Sequence, residues 1–94
     1  MRSKENLWDI TDEMNEDIVQ MRRTFHKFPE LGFKEIKTNE LIKSYLKNYG
    51  IENIISIGNT GIVAVIEGDI SGSTILLRAD IDGLPIIEET GLSF

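Results

Sequence analysis

Two carboxylates, Asp80 and Asp82, stand two residues apart in the stretch LRADIDGLP at positions 77–85, and Arg78 stands two residues before them. In an extended chain alternate side chains share a face, about 6.6 Å apart at i and i+2. Arg78, Asp80 and Asp82 therefore project from one side, and Leu77, Ala79 and Ile81 from the other. Carboxylates so placed repel each other unless a cation or several donors meet them. At the carboxyl end of a strand, where functional crevices form in α/β sheets, such a pair is suited to a metal, a histidine or a base. The competing reading is structural. Arg78 pairs with Asp80, and Asp82 opens an Asp-Gly turn ahead of Gly83 and Pro85. Spacing alone favours the structural reading.

The other candidates are weaker. His26 is the sole histidine, and there is no cysteine. A zinc site needs three or four ligands, so His26 cannot build one. It reads instead as a helix-end residue that meets a loop carbonyl, and Arg22 and Arg23 read as helix-end cations. Gly58, Gly61 and Gly68 stand in no Gly-x-Gly-x-x-Gly or Gly-Lys-Ser context, so they form no phosphate loop. Trp8 reads as a small packing anchor. Glu88 and Glu89 fall in a loop and read as solvated or functional with equal weight.

Several elements must position these residues. Ile10, Met14, Ile18, Met21, Phe25 and Phe28 recur at steps of three and four, which predicts one amphipathic helix. Asp9 or Thr11 would cap it, and Pro29 ends it by disfavouring helix at Phe28. After the tight loop PELGF, a second helix is predicted from Glu35 to Tyr49, with Gly50 as its C′ residue. Its apolar stripe is Leu41, Ile42, Tyr45, Leu46 and Tyr49. Three strand-like segments follow: IENIISIG (51–58), IVAVIEG (62–68) and TILLRADI (74–81). NTG at 59–61 is a turn signal, and the DISGS loop predicts an antiparallel hairpin between the second and third segments. The expected fold class is α/β, with two N-terminal helices packed on a sheet of about three strands. Residues 1–9 read as a disordered tail and 10–94 as the folded part. A near-continuous apolar strand wants cover on both faces. These residues supply helices for one, so the chain reads as a piece of a larger domain or as one half of a pair.

Composition bounds the function. With 94 residues and 40% hydrophobic content the chain is one globular unit at most. Its net charge of −6 opposes nucleic-acid binding, which needs clustered Lys and Arg. No apolar run reaches the roughly 20 residues of a membrane span, and the N-terminus has no apolar signal core. A cytoplasmic protein without a disulfide framework is the default expectation.

Three segments, in order, carry a resemblance: MRRTFHKFPELGFKEIKT (21–38), GNTGIVAVIEG (58–68) and ILLRADIDGLPIIEETGLSF (75–94). Together they resemble the N-terminal region of the aminoacylase and carboxypeptidase family of dinuclear metal amidohydrolases. The branch they resemble most contains hippurate hydrolases, N-acetyl-diaminopimelate deacetylases and indole-acetyl-amino-acid hydrolases. The resemblance implies a longer parent that hydrolyses the amide of a small N-acyl amino acid and assembles as a homo-oligomer. Two divalent ions (Mn, Zn, Co or Ni) would polarise the carbonyl and activate water. A glutamate beyond these residues would act as general base.

The implied fold is a dinuclear-metal aminopeptidase-like catalytic domain, of which 10–94 is the N-terminal part, with a lid or dimerisation domain elsewhere. Other branches carry His-x-Asp where this chain has Asp80-Ile81-Asp82: the histidine binds metal and the aspartate orients it. Asp82 is thus the expected orienting acid. Asp80 occupies the histidine position, which removes the usual first ligand, so no metal ligand is assigned within these residues. On this reading the 94 residues alone are inactive. The alternative is a non-catalytic α/β interaction module that pairs through an uncovered sheet surface.

Overall fold

The computed structural model describes residues 6–86 and 90–92. Contacts divide the chain into two compact units, Pro29–Pro85 and the remainder, which contains the first helix.

Helix α1 spans Leu7–Lys27. It starts three residues before the periodic pattern at Ile10, because Asn6 rather than Asp9 or Thr11 is the cap. Asn6 Oδ1 accepts the Asp9 backbone N–H at 2.9 Å, the bond that makes asparagine a preferred cap. Asp9 lies instead in the first turn, where a negative charge meets the helix's positive end. Ile10, Met14, Met21 and Phe25 are half-buried, whereas Ile18 and Phe28 are exposed. Trp8 is 80% exposed, so among the described residues it does not pack as the anchor that the sequence suggested. The helix closes at Phe28, whose φ of −131° and ψ of 65° suit a residue ahead of proline. His26 lies in the last turn, as expected.

Within Pro29–Pro85, helix α2 spans Ile36–Asn48, one residue inside each predicted end, with Glu35 and Tyr49 as its caps. Gly50 at φ 82° provides the left-handed stop. Its N–H bonds Lys47 O at 3.0 Å, and the Ile51 N–H bonds Leu46 O at 2.9 Å, the paired bonds of a glycine-terminated helix.

Strands β1 (Ile54–Ile57) and β2 (Gly61–Ala64) form an antiparallel hairpin, in register from Ile54↔Ala64 to Ile57↔Gly61. Its turn is Gly58-Asn59-Thr60, with Gly58 at φ 62°. A Cβ on Gly61 would lie 2.6 Å from Ile57 O, so the turn demands glycine there as well. Helix α2 packs against β2.

The predicted strand pairing is corrected. The hairpin joins the first and second segments, through the NTG turn signal, and not the second and third. Among the described residues the sheet has two strands, not three. Residues 74–81 form no ladder, and Ile75, Leu76 and Leu77 are 82–90% exposed. β-propensity expresses packing against neighbours, and this segment lies along no sheet edge.

No apolar side chain is buried among the described residues. The residues buried among those described are Glu35, Thr38, Asn39 and Thr60, all within Pro29–Pro85. No helix is long and apolar enough to cross a membrane among the described residues.

Candidate functional site

The four buried polar residues meet where the start of α2 faces the hairpin turn. Lys34 N–H donates to Leu31 O at 2.9 Å and closes a turn through Gly32 and Phe33. Phe33, at φ 65°, sits where such a turn normally carries glycine. Glu35 follows with φ −79° and ψ 55°, bridged by Ile36 N–H to Lys34 O. This double bend swings the Glu35 side chain inward. Its Oε2 accepts the Thr60 hydroxyl at 2.7 Å, and Asn39 Nδ2 donates to Thr60 O at 2.8 Å. Lys43 Nζ adds a surface bond to Ser56 Oγ. Glu35 is only 5% exposed, and its second oxygen, Oε1, has no hydrogen-bond partner among the described residues. An unsatisfied buried acceptor costs about 1–3 kcal/mol, and more when charged.

Glu35 makes no side-chain cap for α2. Glu30 does so from further upstream. Its Oε1 accepts the Thr38 N–H at 2.6 Å and the Thr38 hydroxyl at 2.7 Å, and its Oε2 accepts the Lys37 N–H at 3.3 Å. Desolvation works to raise the Glu30 pKa. The bonds from Thr38 and Lys37, with the Lys37 charge, outweigh it and hold the carboxyl below the usual range. The same residue's carbonyl accepts the Gly83 N–H at 2.7 Å. Glu30 therefore joins three things: the PELGF loop, the start of α2 and the chain just after Asp82. A Cβ on Gly83 would fall 2.8 Å from Pro29 Cβ, so the close approach requires glycine.

The carboxylate segment divides as follows. Arg78 Nη2 and Asp80 Oδ1 pair at 2.7 Å, with 79% and 68% of their side chains exposed. This is the pairing that spacing favoured, and an exposed pair of this kind contributes little stability. The second half of that reading does not hold. No turn forms at 82–84, and the Gly83 N–H donates to Glu30 O instead. Asp82 is exposed and borders an open pocket of about 470 Å³. Gly32, Phe33, Glu35 and Thr60 line the same pocket. A Cβ built on Gly32 would lie 3.9 Å from the unpartnered Glu35 Oε1 and 4.0 Å from Asp82 Oδ2. The bare α-carbon of Gly32 is thus a floor between two carboxylates. Glu88 and Glu89 lie outside the described residues.

Among the described residues no group of three or more His, Cys, Asp and Glu converges as a metal set. The described residues therefore do not fit a divalent ion by themselves.

The sequence reading missed the roles of Glu30, Glu35, Thr38, Asn39 and Thr60. A capping box links positions three apart. Glu30 reaches Thr38 across eight residues, which leaves no short-range signature. A weak signal existed in Glu35 and Thr60, polar residues at the edges of two apolar elements.

No family model matches the chain, and no solved structure does. Curated proteins do match. The chain is 43% identical over 84% of its length to YhaA of Bacillus subtilis, which bears the name of an amidohydrolase. It is 46% identical over 81% of its length to an N-acetyldiaminopimelate deacetylase of Bacillus cytotoxicus. It is 40% identical over 96% of its length to thermostable carboxypeptidase 1 of Saccharolobus solfataricus. These are hydrolases by name, and over most of its length the chain is similar to the N-terminal part of these amidohydrolase, deacetylase and carboxypeptidase relatives. It spans 20–23% of the length of these relatives.

One outcome follows from the Glu30 clamp. In the full-length protein, Glu30→Ala should lower hydrogen-exchange protection at the Thr38 amide about tenfold, the size of a lost helix cap near 1.4 kcal/mol. A wild-type sample taken to acid should lose the same protection. The folded pKa is depressed, so the stabilisation is complete above the unfolded-state value and disappears as pH falls through the folded one. Unchanged protection in both samples would show that Glu30 does not cap α2.

Proposed function

We propose that the whole protein is a metal-dependent hydrolase of the amide bond of N-acyl amino acids, and that these residues form the N-terminal edge of its catalytic domain. The observation that carries this reading is the clamp of Gly83 on Glu30, which fixes Asp82 at the rim of a pocket. The names of the relatives supply the reaction class. Two divalent ions (Mn, Zn, Co or Ni) would polarise the amide carbonyl and lower the pKa of a bound water. Their ligands and the general base would come from parts of the whole protein other than the residues described. Within this chain, Asp82 orients a ligand-bearing residue by accepting its N–H, the carboxylate support that metal-bound histidines receive. Arg78 draws the Asp80 carboxylate away from that task. The parent works in the cytoplasm as a homo-oligomer, and the 94 residues alone hydrolyse nothing.

The test is hydrolysis of a panel of N-acetyl and N-benzoyl amino acids by the full-length protein. Activity should vanish with a chelator and return with Mn²⁺, Zn²⁺, Co²⁺ or Ni²⁺. Activity that survives exhaustive chelation would count against the reading, and so would no turnover of any N-acyl amino acid. A second reading draws on the exposure of Ile75, Leu76 and Leu77: a non-catalytic module that pairs through its uncovered apolar surface. A full-length protein without hydrolytic activity that forms a tight complex would favour it.

A further inference from the structure

The most unusual group in the described structure is the Glu35 carboxylate. One oxygen is satisfied by Thr60, and the other is buried and without a partner. A buried acceptor nearly always meets a donor, from the protein, a ligand or an ordered water. This oxygen faces the Gly32 floor that Asp82 borders from the other side. The pocket above is open and holds about 470 Å³, within the usual range for small-ligand sites. Phe33 also lines it, 87% exposed and held at φ 65°, a conformation that glycine adopts more cheaply. An aromatic face beside two carboxylates attracts cations. Arg78, the one cation lining the pocket among the described residues, is engaged with Asp80. Among the described residues the pocket thus presents two acceptors and a ring without the charge that would match them.

The geometry points to a cation subsite: Glu35 and Asp82, with Phe33 at the rim, receive an ammonium or guanidinium group over Gly32. That group comes either from a small molecule, such as the free amine of a basic N-acyl amino acid, or from a lysine or arginine elsewhere in the whole protein. Glu35 supplies the directional acceptor, because Thr60 and Asn39 hold it in place. Asp82 adds charge while its carboxylate remains exposed. The first source deepens the proposed function and rests on it. The second does not.

The experiment uses the full-length protein stripped of metal, so that binding is read without turnover. Calorimetry compares α-N-acetyl-lysine with α-N-acetyl-norleucine, which differs only by the ammonium, on wild type and Glu35→Gln. The glutamine keeps an oxygen for Thr60 and places N–H groups where the unpartnered acceptor was. Melting temperatures are recorded for both proteins without ligand. If the cation belongs to a ligand, wild type prefers the lysine derivative by about tenfold or more, one charge-assisted bond's worth, and Glu35→Gln removes the preference. If it belongs to the protein, neither probe is preferred and Glu35→Gln melts several degrees lower, because a buried cation has lost its partner. A preference that survives in Glu35→Gln overturns the inference. So does the absence of any preference together with an unchanged or higher melting temperature. Turnover of the same probes by the metal-loaded enzyme reports separately on the hydrolase reading, so either idea can fail alone.

Discussion

Replacing Asp82 by alanine in the full-length protein is expected to lower kcat/KM for an N-acyl amino acid by about 10–100-fold, while Asp80→Ala changes it by less than about threefold. The larger figure is what removal of an outer carboxylate costs a metal site. The asymmetry comes from geometry. Asp80 is exposed and paired with Arg78, whereas Asp82 stands at the pocket rim, next to the one backbone N–H of the segment that is clamped to the PELGF loop. Asp82→Asn separates charge from hydrogen bonding. It keeps an acceptor oxygen but removes the negative charge, so it should restore part of the loss and weaken metal affinity more than turnover of the metal-loaded enzyme. Equal effects at the two aspartates, or none at Asp82, would remove the structural basis for giving the second aspartate the task.

Gly83 offers an independent handle on the same clamp. Its missing Cβ lets the chain lie against Pro29, and an added one would meet Pro29 Cβ at 2.8 Å, Pro29 Cα at 3.3 Å and Glu30 N at 3.5 Å. Two of those three atoms are backbone, so the segment must lift away. Lifting it moves the Asp82 carboxylate without altering its chemistry. A loss in the alanine variant at Gly83 that parallels the loss at Asp82 locates the effect in placement.

What could be read from residue order was whatever depends on near neighbours. Pro29 and Gly50 stop the two helices by local backbone chemistry, and both stops lie within one residue of their predicted places. The Arg78–Asp80 pair follows from the alternation of an extended chain. The start of α1 was misread because Asn6 precedes the first periodic apolar residue by four positions, and the intervening Leu7 and Trp8 are exposed. The hairpin was assigned to the wrong pair of segments because Ile75, Leu76 and Leu77 have strand-forming composition without a partner edge. Composition states an appetite for burial, and pairing is decided by what lies alongside. The Glu35–Thr60–Asn39 cluster joins residues 21 and 25 positions apart. No periodicity encodes it. The PELGF stretch read only as a tight loop, but the bonds that use it run from Glu30 to Thr38 and Gly83. The turn therefore holds a helix start and a carboxylate segment.

The 94-residue chain by itself is expected to show helical far-ultraviolet circular dichroism but no cooperative thermal transition, and to self-associate in sedimentation. Ordering a residue costs roughly 1–2 kcal/mol of backbone entropy. The main offset is apolar burial, at about 25 cal/mol per Å². Here no apolar side chain is buried among the described residues, and the centre of Pro29–Pro85 is four polar residues. Hydrogen bonds of the kind Glu30 and Glu35 make contribute about 1–3 kcal/mol each, which can select a loop conformation but cannot carry a domain. Meanwhile Ile55, Ile57, Ile66, Ile70, Ile75, Leu76 and Leu77 are each more than half exposed. That much uncovered apolar surface drives association, and the unpaired edges of a two-stranded sheet offer a route for it. Substituting Ile75 and Leu77 with serine should restore a monomer without creating a melting transition, because it removes the sticky surface and adds no core. A sharp, reversible melt of the unmodified monomer, with side-chain and backbone signals coincident, would mean that polar contacts and half-buried residues suffice. The uncovered segment would then be a docking surface of a finished module.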